Sequence, residues 1–259
     1  MIPCALTIAG TDPTAGAGVL ADIKTFAALG VYGVCVVTCI TAQNASAFHG
    51  VHPVPHRFVR AQLDAVLEDF RVDAFKVGMV YQPETIQEIA RLIHKGGLRN
   101  LVLDPVVSAS SGGALLCEGG IDALRRELLP LAAVVTPNLH EAALLSGRNV
   151  RDCDDMREAA RRIHGMGPRF VLIKGGHLKG GIHDLLYDGN TFLDTPLARI
   201  PGEVRGTGCT LSAAITAGLA RGLPVAEAVC SAQEYTRRVI RDSIPGQHGP
   251  RYPSHFPLP

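Results

Sequence analysis

The chain has 259 residues, 47% of them apolar and 19% charged. That composition supports a sizeable buried core and argues against a disordered chain. With 25 basic against 24 acidic residues the net charge is +1, so charge gives no argument for a nucleic-acid or membrane-surface partner.

Residues 5–9 read as a first strand, and a glycine-rich loop leads into a helix over about 17–29. Residues 34–41 are continuously apolar or β-branched, the pattern of a strand buried on both faces. A helix follows from Pro55 to Phe70, with Phe58, Leu63, Val66 and Leu67 on one side. Strand 74–79 precedes helix 83–95, and strand 100–104 precedes helix 120–129. Strand 133–136 leads into a helix over 138–146. Helix 154–165 then precedes strand 170–174. Residues 183–195 carry Tyr187-Asp188-Gly189-Asn190 between two β-like runs, which reads as a hairpin on a sheet edge. Helices over 208–221 and 224–241 follow, and the tail from Pro245 reads as irregular. This alternation predicts an α/β fold: one doubly wound, mostly parallel sheet with helices on both faces, within a single domain spanning 1–259.

The seven cysteines form no Cys-x-x-Cys pair and are odd in number, so reduced thiols in a cytoplasmic protein are expected. No stretch approaches the ~20 apolar residues of a membrane span. The opening residues lack a basic region and break at Gly10, so they read as a strand, not a signal peptide.

Two glycine loops invite a phosphate reading. Gly16-Ala17-Gly18-Val19-Leu20-Ala21 matches the dinucleotide fingerprint, but its first glycine lies seven positions beyond the strand end. The second strand also ends in Thr41-Ala42-Gln43-Asn44 with no acid for a ribose, so NAD is disfavoured. There is no P-loop motif either. Gly206-Thr207-Gly208-Cys209 opens a helix, where backbone N–H groups and the macrodipole favour an anion such as a transferring phosphoryl group. The same dipole would lower the Cys209 thiol pKa, making it a candidate base. Alternatively, Cys209 is a small packed residue beneath the loop. A phosphatase nucleophile is excluded because Ile215 stands where that chemistry needs arginine.

Further candidates fall at strand ends, where open parallel sheets bind ligands: Gln43, Asn44, Met79, Asp104, Asn138, Glu141 and Lys174. Each has a plainer reading. Asn138 and Glu141 also make a capping box, Asp104 a turn acid, Lys174 a solvated strand-end lysine and Met79 a core residue. Asp22 reads as a surface acid on the first helix.

Thr7-Ile-Ala-Gly-Thr-Asp-Pro-Thr-Ala-Gly-Ala-Gly18, Thr41-Ala-Gln-Asn44, Lys76-Val-Gly-Met79, Leu103-Asp-Pro-Val106, Thr136-Pro-Asn-Leu-His-Glu-Ala142, Lys174-Gly-Gly-His177 and Gly206-Thr-Gly-Cys-Thr-Leu-Ser212 occur in this order. Together with His248-Gly-Pro250 they resemble the hydroxymethylpyrimidine/phosphomethylpyrimidine kinases of thiamine biosynthesis, members of the ribokinase-like superfamily. The resemblance implies ATP as donor, Mg2+ as helper and 4-amino-5-hydroxymethyl-2-methylpyrimidine, then its monophosphate, as acceptor. It places Gln43 on the pyrimidine edge and Gly10, Ala17, Met79 and Val106 around the ring. It puts Asp104 and Glu141 at the metal–phosphate cluster, and Lys174 with Asn138 at the phosphates. Cys209 falls where most ribokinase relatives carry a catalytic aspartate, within the anion hole of Gly206, Thr207 and Gly208. A homodimer is likewise implied.

The sequence departs from the family at two places that bear on phosphate contacts. Arg205 replaces a usual histidine and is a candidate substitute cation, and Ala109-Ser110-Ser111-Gly112 replaces a lysine-bearing block. A pyridoxal kinase of the same superfamily and a non-catalytic pyrimidine-binding domain are the competing readings.

Overall fold

Strand order explains where a ligand can sit. The computed structural model describes residues 2–44, 47–108, 113, 115–176, 182–197, 200–247 and 249–256. Its elements are β1 (Cys4–Ala9), α1 (Gly18–Ala28), β2 (Tyr32–Val37), β3 (Cys39–Gln43), β4 (Phe48–Pro53), α2 (His56–Asp69), β5 (Ala74–Val77), α3 (Pro83–His94) and β6 (Leu101–Leu103). They continue as α4 (Gly120–Ala123), β7 (Ala132–Val135), α5 (Leu139–Ser146), α6 (Cys153–His164), β8 (Phe170–Ile173), β9 (Ile182–Tyr187), β10 (Phe192–Leu197), α7 (Thr207–Ala220) and α8 (Val225–Arg241).

The main sheet runs β10-β9-β8-β7-β6-β5-β1-β2. Strands β2 to β8 in that sheet are mutually parallel, while β9 and β10 add antiparallel at one edge. From β1 the chain winds first to β2 and later, in the other direction, through β5. The crevice beyond the carboxyl ends of β1 and β5 is therefore the topological switch point, where doubly wound sheets bind ligands.

Alternating side chains divide the core between two faces. Leu6, Ile8, Phe75, Val77, Leu101 and Leu103 pack under α2, α3, α5 and α6. Ala5, Ala74, Val102, Val134, Leu172 and Leu186 meet α1, α7 and α8 on the other face. From Thr210 to Ala220 every residue of α7 is buried, as expected of a helix that is apolar all round. Its start is thereby held against the sheet ends.

Four expectations change. Residues 34–41 are not one strand. At Thr38 the chain leaves the main sheet: its N–H donates to the Ala9 carbonyl (3.0 Å) and its Oγ1 to the Met79 carbonyl (2.6 Å). The following β3 pairs instead with β4 as a separate two-stranded hairpin. Residues 120–129 are not one α-helix, for α4 passes through a π turn at Leu124–Leu128 into a 3-10 turn at Leu129–Leu131, where Pro130 lacks an N–H to continue the ladder. Phe58 is exposed and Val59 with Leu63 forms the buried side of α2. The tail is tied down, Tyr252 pairing with Ile244 and Arg251 with Val204. Among the described residues no helix is long and apolar enough to cross a membrane.

Candidate active site

Two close backbone approaches bring the glycine loops together. Gly18 (φ +63°) starts α1 so close to β1 that a Cβ would lie 2.3 Å from the Gly10 carbonyl oxygen. Gly206 (φ +75°) approaches the first loop more closely still, its would-be Cβ falling 1.7 Å from the Gly16 carbonyl oxygen. Only glycine combines that left-handed conformation with that approach. The loop from Thr11 to Gly18 is shaped by buried Asp12, whose carboxylate accepts from Thr14 N (3.1 Å), Thr14 Oγ1 (2.9 Å) and Ala17 N (3.1 Å). Gly206 is the N-cap of α7, so the anion-favouring end of that helix opens beside the first loop.

Beneath this end lies a charged layer. Lys174 Nζ donates to Asp104 Oδ1 (3.0 Å), Ser212 Oγ to Asp104 Oδ2 (3.0 Å) and Thr136 Oγ1 to Asp104 Oδ1 (3.2 Å). Burial pushes Asp104 up, but Lys174, Lys76 and these hydrogen bonds outweigh it and hold the carboxyl below its ordinary value. Burial likewise opposes the charge on Lys174, yet Asp104 and Glu141 keep its pKa raised. A Cβ on Gly208 would sit 3.3 Å from Lys174 Nζ, so the ammonium faces the turn of backbone that would hold a phosphoryl group.

Asn138 and Glu141 form the complete capping box of α5: Glu141 N donates to Asn138 Oδ1 (2.9 Å) and Asn138 N to Glu141 Oε2 (2.8 Å). The plainer reading of this pair is therefore realised. The box also points Glu141 toward Lys174 and Asp104. Burial raises its pKa to about 7, with Asp104 adding to the rise and Lys174 opposing it. No group of three His, Cys, Asp or Glu poised to hold a metal occurs among the described residues. Magnesium, however, takes one or two carboxylates and leaves its other positions to phosphates and water. Glu141, buried yet without a hydrogen bond to its second oxygen among the described residues, fits that sparse role.

The Cys209 thiol differs from the dipole-based expectation. Burial raises its pKa, and Lys76 only partly counters this. Desolvation of the thiolate exceeds the benefit of roughly half a charge at the helix start.

Asp22 also departs from its surface reading. It is wholly buried and accepts from Lys76 Nζ at 2.6 Å and from Thr7 Oγ1 at 2.6 Å. Lys76 Nζ also reaches the Cys209 carbonyl oxygen at 3.5 Å. Burial opposes the Lys76 charge, but Asp22, Cys209 and Asp104 raise its pKa, leaving a fixed cation under the start of α7.

The residues expected around the ring gather on the other flank. Cys39, Met79 and Leu115 form a small apolar cluster with Phe48, Val51, Tyr81 and Val106 packed against it. A Cβ on Gly10 would strike Cys39 Sγ at 2.5 Å and Met79 Sδ at 3.0 Å, so Gly10 sits against this cluster. Gln43 ends β3 at the hairpin tip. The Arg205 guanidinium donates to Gln43 Oε1 (2.5 Å) and the Asn44 carbonyl (2.7 Å).

All thirteen site residues proposed from the sequence lie among the described residues and border this crevice or its walls. Those missed were Asp12, Asp22, Cys39, Lys76, Thr136 and Ser212. Lys76 and Asp22 carried a usable signal, a lysine inside an apolar strand and an acid on the buried face of a helix, since each needs a partner when buried. Ala109, Ser110, Ser111, Gly112, His177 and His248 lie outside the described residues.

Comparison with known proteins matches this geometry to one family. The family model described as phosphomethylpyrimidine kinase matches residues 12–254. A hydroxymethylpyrimidine/phosphomethylpyrimidine kinase of Rhizobium meliloti is 51% identical over 245 residues, covering 93% of this chain and 91% of the relative. A phosphomethylpyrimidine kinase structure from Clostridium difficile superimposes with a TM-score of 0.83 at 41% identity, covering 93% of this chain and all of that one. The ADP complex of Bacillus subtilis pyridoxal kinase gives a TM-score of 0.92 at 40% identity, with 98% of both chains covered. With a match running almost end to end, this chain belongs to the phosphomethylpyrimidine kinase family.

Proposed function

We propose that the protein transfers the γ-phosphoryl group of ATP to the hydroxymethyl oxygen of 4-amino-5-hydroxymethyl-2-methylpyrimidine, and then a second to the resulting monophosphate. The observation that carries this reading is the start of α7, where Gly206 meets Gly16 and Gly208 faces Lys174 Nζ. Positive partial charge and a fixed ammonium there suit the charge spread over a transferring phosphoryl group.

In this reading Gln43 meets the pyrimidine edge, since its amide offers both a donor and acceptor. Gly10, Ala17, Met79 and Val106 line the ring. Lys174 and Asn138 serve the ATP phosphates. The Gly206, Thr207 and Gly208 backbone stabilises the moving group, while Cys209 takes the alcohol proton late. Lys76 holds a positive charge under Cys209 and favours the thiolate when it forms. Asp104 and Glu141 would hold Mg2+, which supplies charge neutralisation on the phosphates when bound. The whole chain acts as one catalytic unit: the sheet draws strands from both halves, and the Arg251 carbonyl accepts from Arg205 N next to the anion hole. We further place the enzyme in the cytoplasm as a homodimer, which light scattering would test.

Mass spectrometry of products from the pyrimidine alcohol with excess ATP and Mg2+ tests the assignment. Sequential mono- and diphosphate are expected; no phosphorylated product sinks it. A pyridoxal kinase reading stands beside it because the Bacillus subtilis pyridoxal kinase superimposes so closely. ADP release with pyridoxal as sole acceptor, exceeding that with the pyrimidine, would favour that second reading.

A further inference from the structure

Arg205 is buried at the junction of three segments. Its backbone N–H donates to the Arg251 carbonyl of the tail at 2.9 Å. Its Nη1 donates to the Asn44 carbonyl (2.7 Å) and its Nη2 to Gln43 Oε1 (2.5 Å). Its Nε lies 3.6 Å from Asp12 Oδ2, without a hydrogen-bond partner of its own. One rigid fork thus joins the tip of the β3–β4 hairpin to the carboxylate that shapes the first glycine loop, from the residue just before the N-cap of α7.

The chemistry of the contact fixes which end of Gln43 is which. A guanidinium only donates, so the amide atom it touches is oxygen, and the NH2 group points the other way. Among the described residues Gln43 Nε2 makes no hydrogen bond. One lone pair of Oε1 is taken by Arg205; Nε2 and the remaining lone pair are left to a ligand. We propose that Arg205 is a positioning residue for ring recognition: it holds the Gln43 amide in one orientation, so the pocket selects rings that offer a hydrogen-bond acceptor to Nε2. This rests on the reading above that Gln43 meets the ring edge. A planar fork can grip two oxygens at once where a lysine ammonium, a flexible point charge, cannot hold the same geometry.

Arg205→Lys keeps a positive charge near buried Asp12 while removing the fork, which protects the fold; thermal denaturation verifies that. The ring probes are the pyrimidine alcohol and its isostere with C–H in place of the ring nitrogen beside the amino group. The wild-type enzyme is expected to prefer the nitrogen ring by about tenfold in kcat/KM, the worth of one net hydrogen bond. In Arg205→Lys that preference falls to about twofold. KM for the pyrimidine rises several-fold, with kcat and the KM for ATP held within about twofold. In a Gln43→Ala background, Arg205→Lys adds no further loss, because the two residues act through one contact. Unchanged ring preference, or the same loss with and without Gln43, overturns the proposal. A ligand-free readout separates this from failure of the substrate reading: the Gln43 side-chain 15N amide should give ordered signals in wild type and motionally averaged ones in Arg205→Lys. Identical order in both overturns the positioning role whatever the substrate proves to be.

Discussion

Lys76 and Asp22 form a wholly buried ion pair of 2.6 Å under the start of α7, joining the middle of the sheet to the first helix. Breaking such a pair leaves an uncompensated buried charge. Lys76→Met is expected to cost about 3–5 kcal/mol, and adding Asp22→Asn should restore part of it. Urea denaturation of the single and double variants measures this. A double variant no more stable than the single one would show that the pair does not act as a unit.

The raised Cys209 pKa sets a pH dependence. If its thiolate takes the alcohol proton, kcat/KM climbs with pH toward and beyond the ordinary thiol value of 9.0. Cys209→Ala should lower kcat by about 10²–10⁴-fold with little change in pyrimidine KM, and should flatten the alkaline rise. Cys209→Asp, whose carboxylate ionises at far lower pH, should regain part of the rate and move the rising limb toward acid. Rate–pH profiles of the three proteins decide it; an unmoved limb in Cys209→Asp would rule out this base.

Glu141 links site chemistry to stability. In the free protein its proton is held up to about 7 rather than 4.5. The native state therefore binds a proton that the unfolded chain has already released. The resulting contribution is whole below about pH 4.5, falls through the window between, and is absent above about pH 7. Glu141→Gln keeps the capping geometry and should make the metal-free, nucleotide-free protein more stable than wild type at pH 8, by at most a few kcal/mol. At pH 4.5 the two should be alike. Thermal melts at both pH values test it.

Gly206 and Gly222 separate backbone strain from close approach. Both adopt positive φ, yet a Cβ on Gly222 meets nothing within 4 Å while one on Gly206 meets the Gly16 carbonyl oxygen at 1.7 Å. Gly222→Ala should cost about 1–2 kcal/mol and keep activity. Gly206→Ala must displace one of the two glycine loops, and is expected to abolish turnover. Near-normal kcat in Gly206→Ala would disprove the anion-hole geometry.

The ribokinase-like expectation came from the resemblance of motif blocks spread from Thr7 to Ser212. Local pattern alone carried the alternation of strands and helices, the antiparallel edge hairpin and the Asn138–Glu141 capping box. Each depends on periodicity, turn chemistry or motif spacing within one stretch of chain. Four features were settled elsewhere. The break at Thr38 depends on Ala9 and Met79, which lie 29 and 41 positions away. The Cys209 thiol depends on how deeply α7 is buried, which outweighs a dipole written in its own first turn. Asp22 became an ion-pair partner only because β5 carries Lys76 alongside it, and Arg205 meets Gln43 and Asn44 only because the hairpin tip comes up to the residue before the α7 N-cap. Hydrophobic period and glycine spacing are properties of neighbours in sequence; desolvation and charge pairing depend on neighbours in space, and the folded chain alone chooses those.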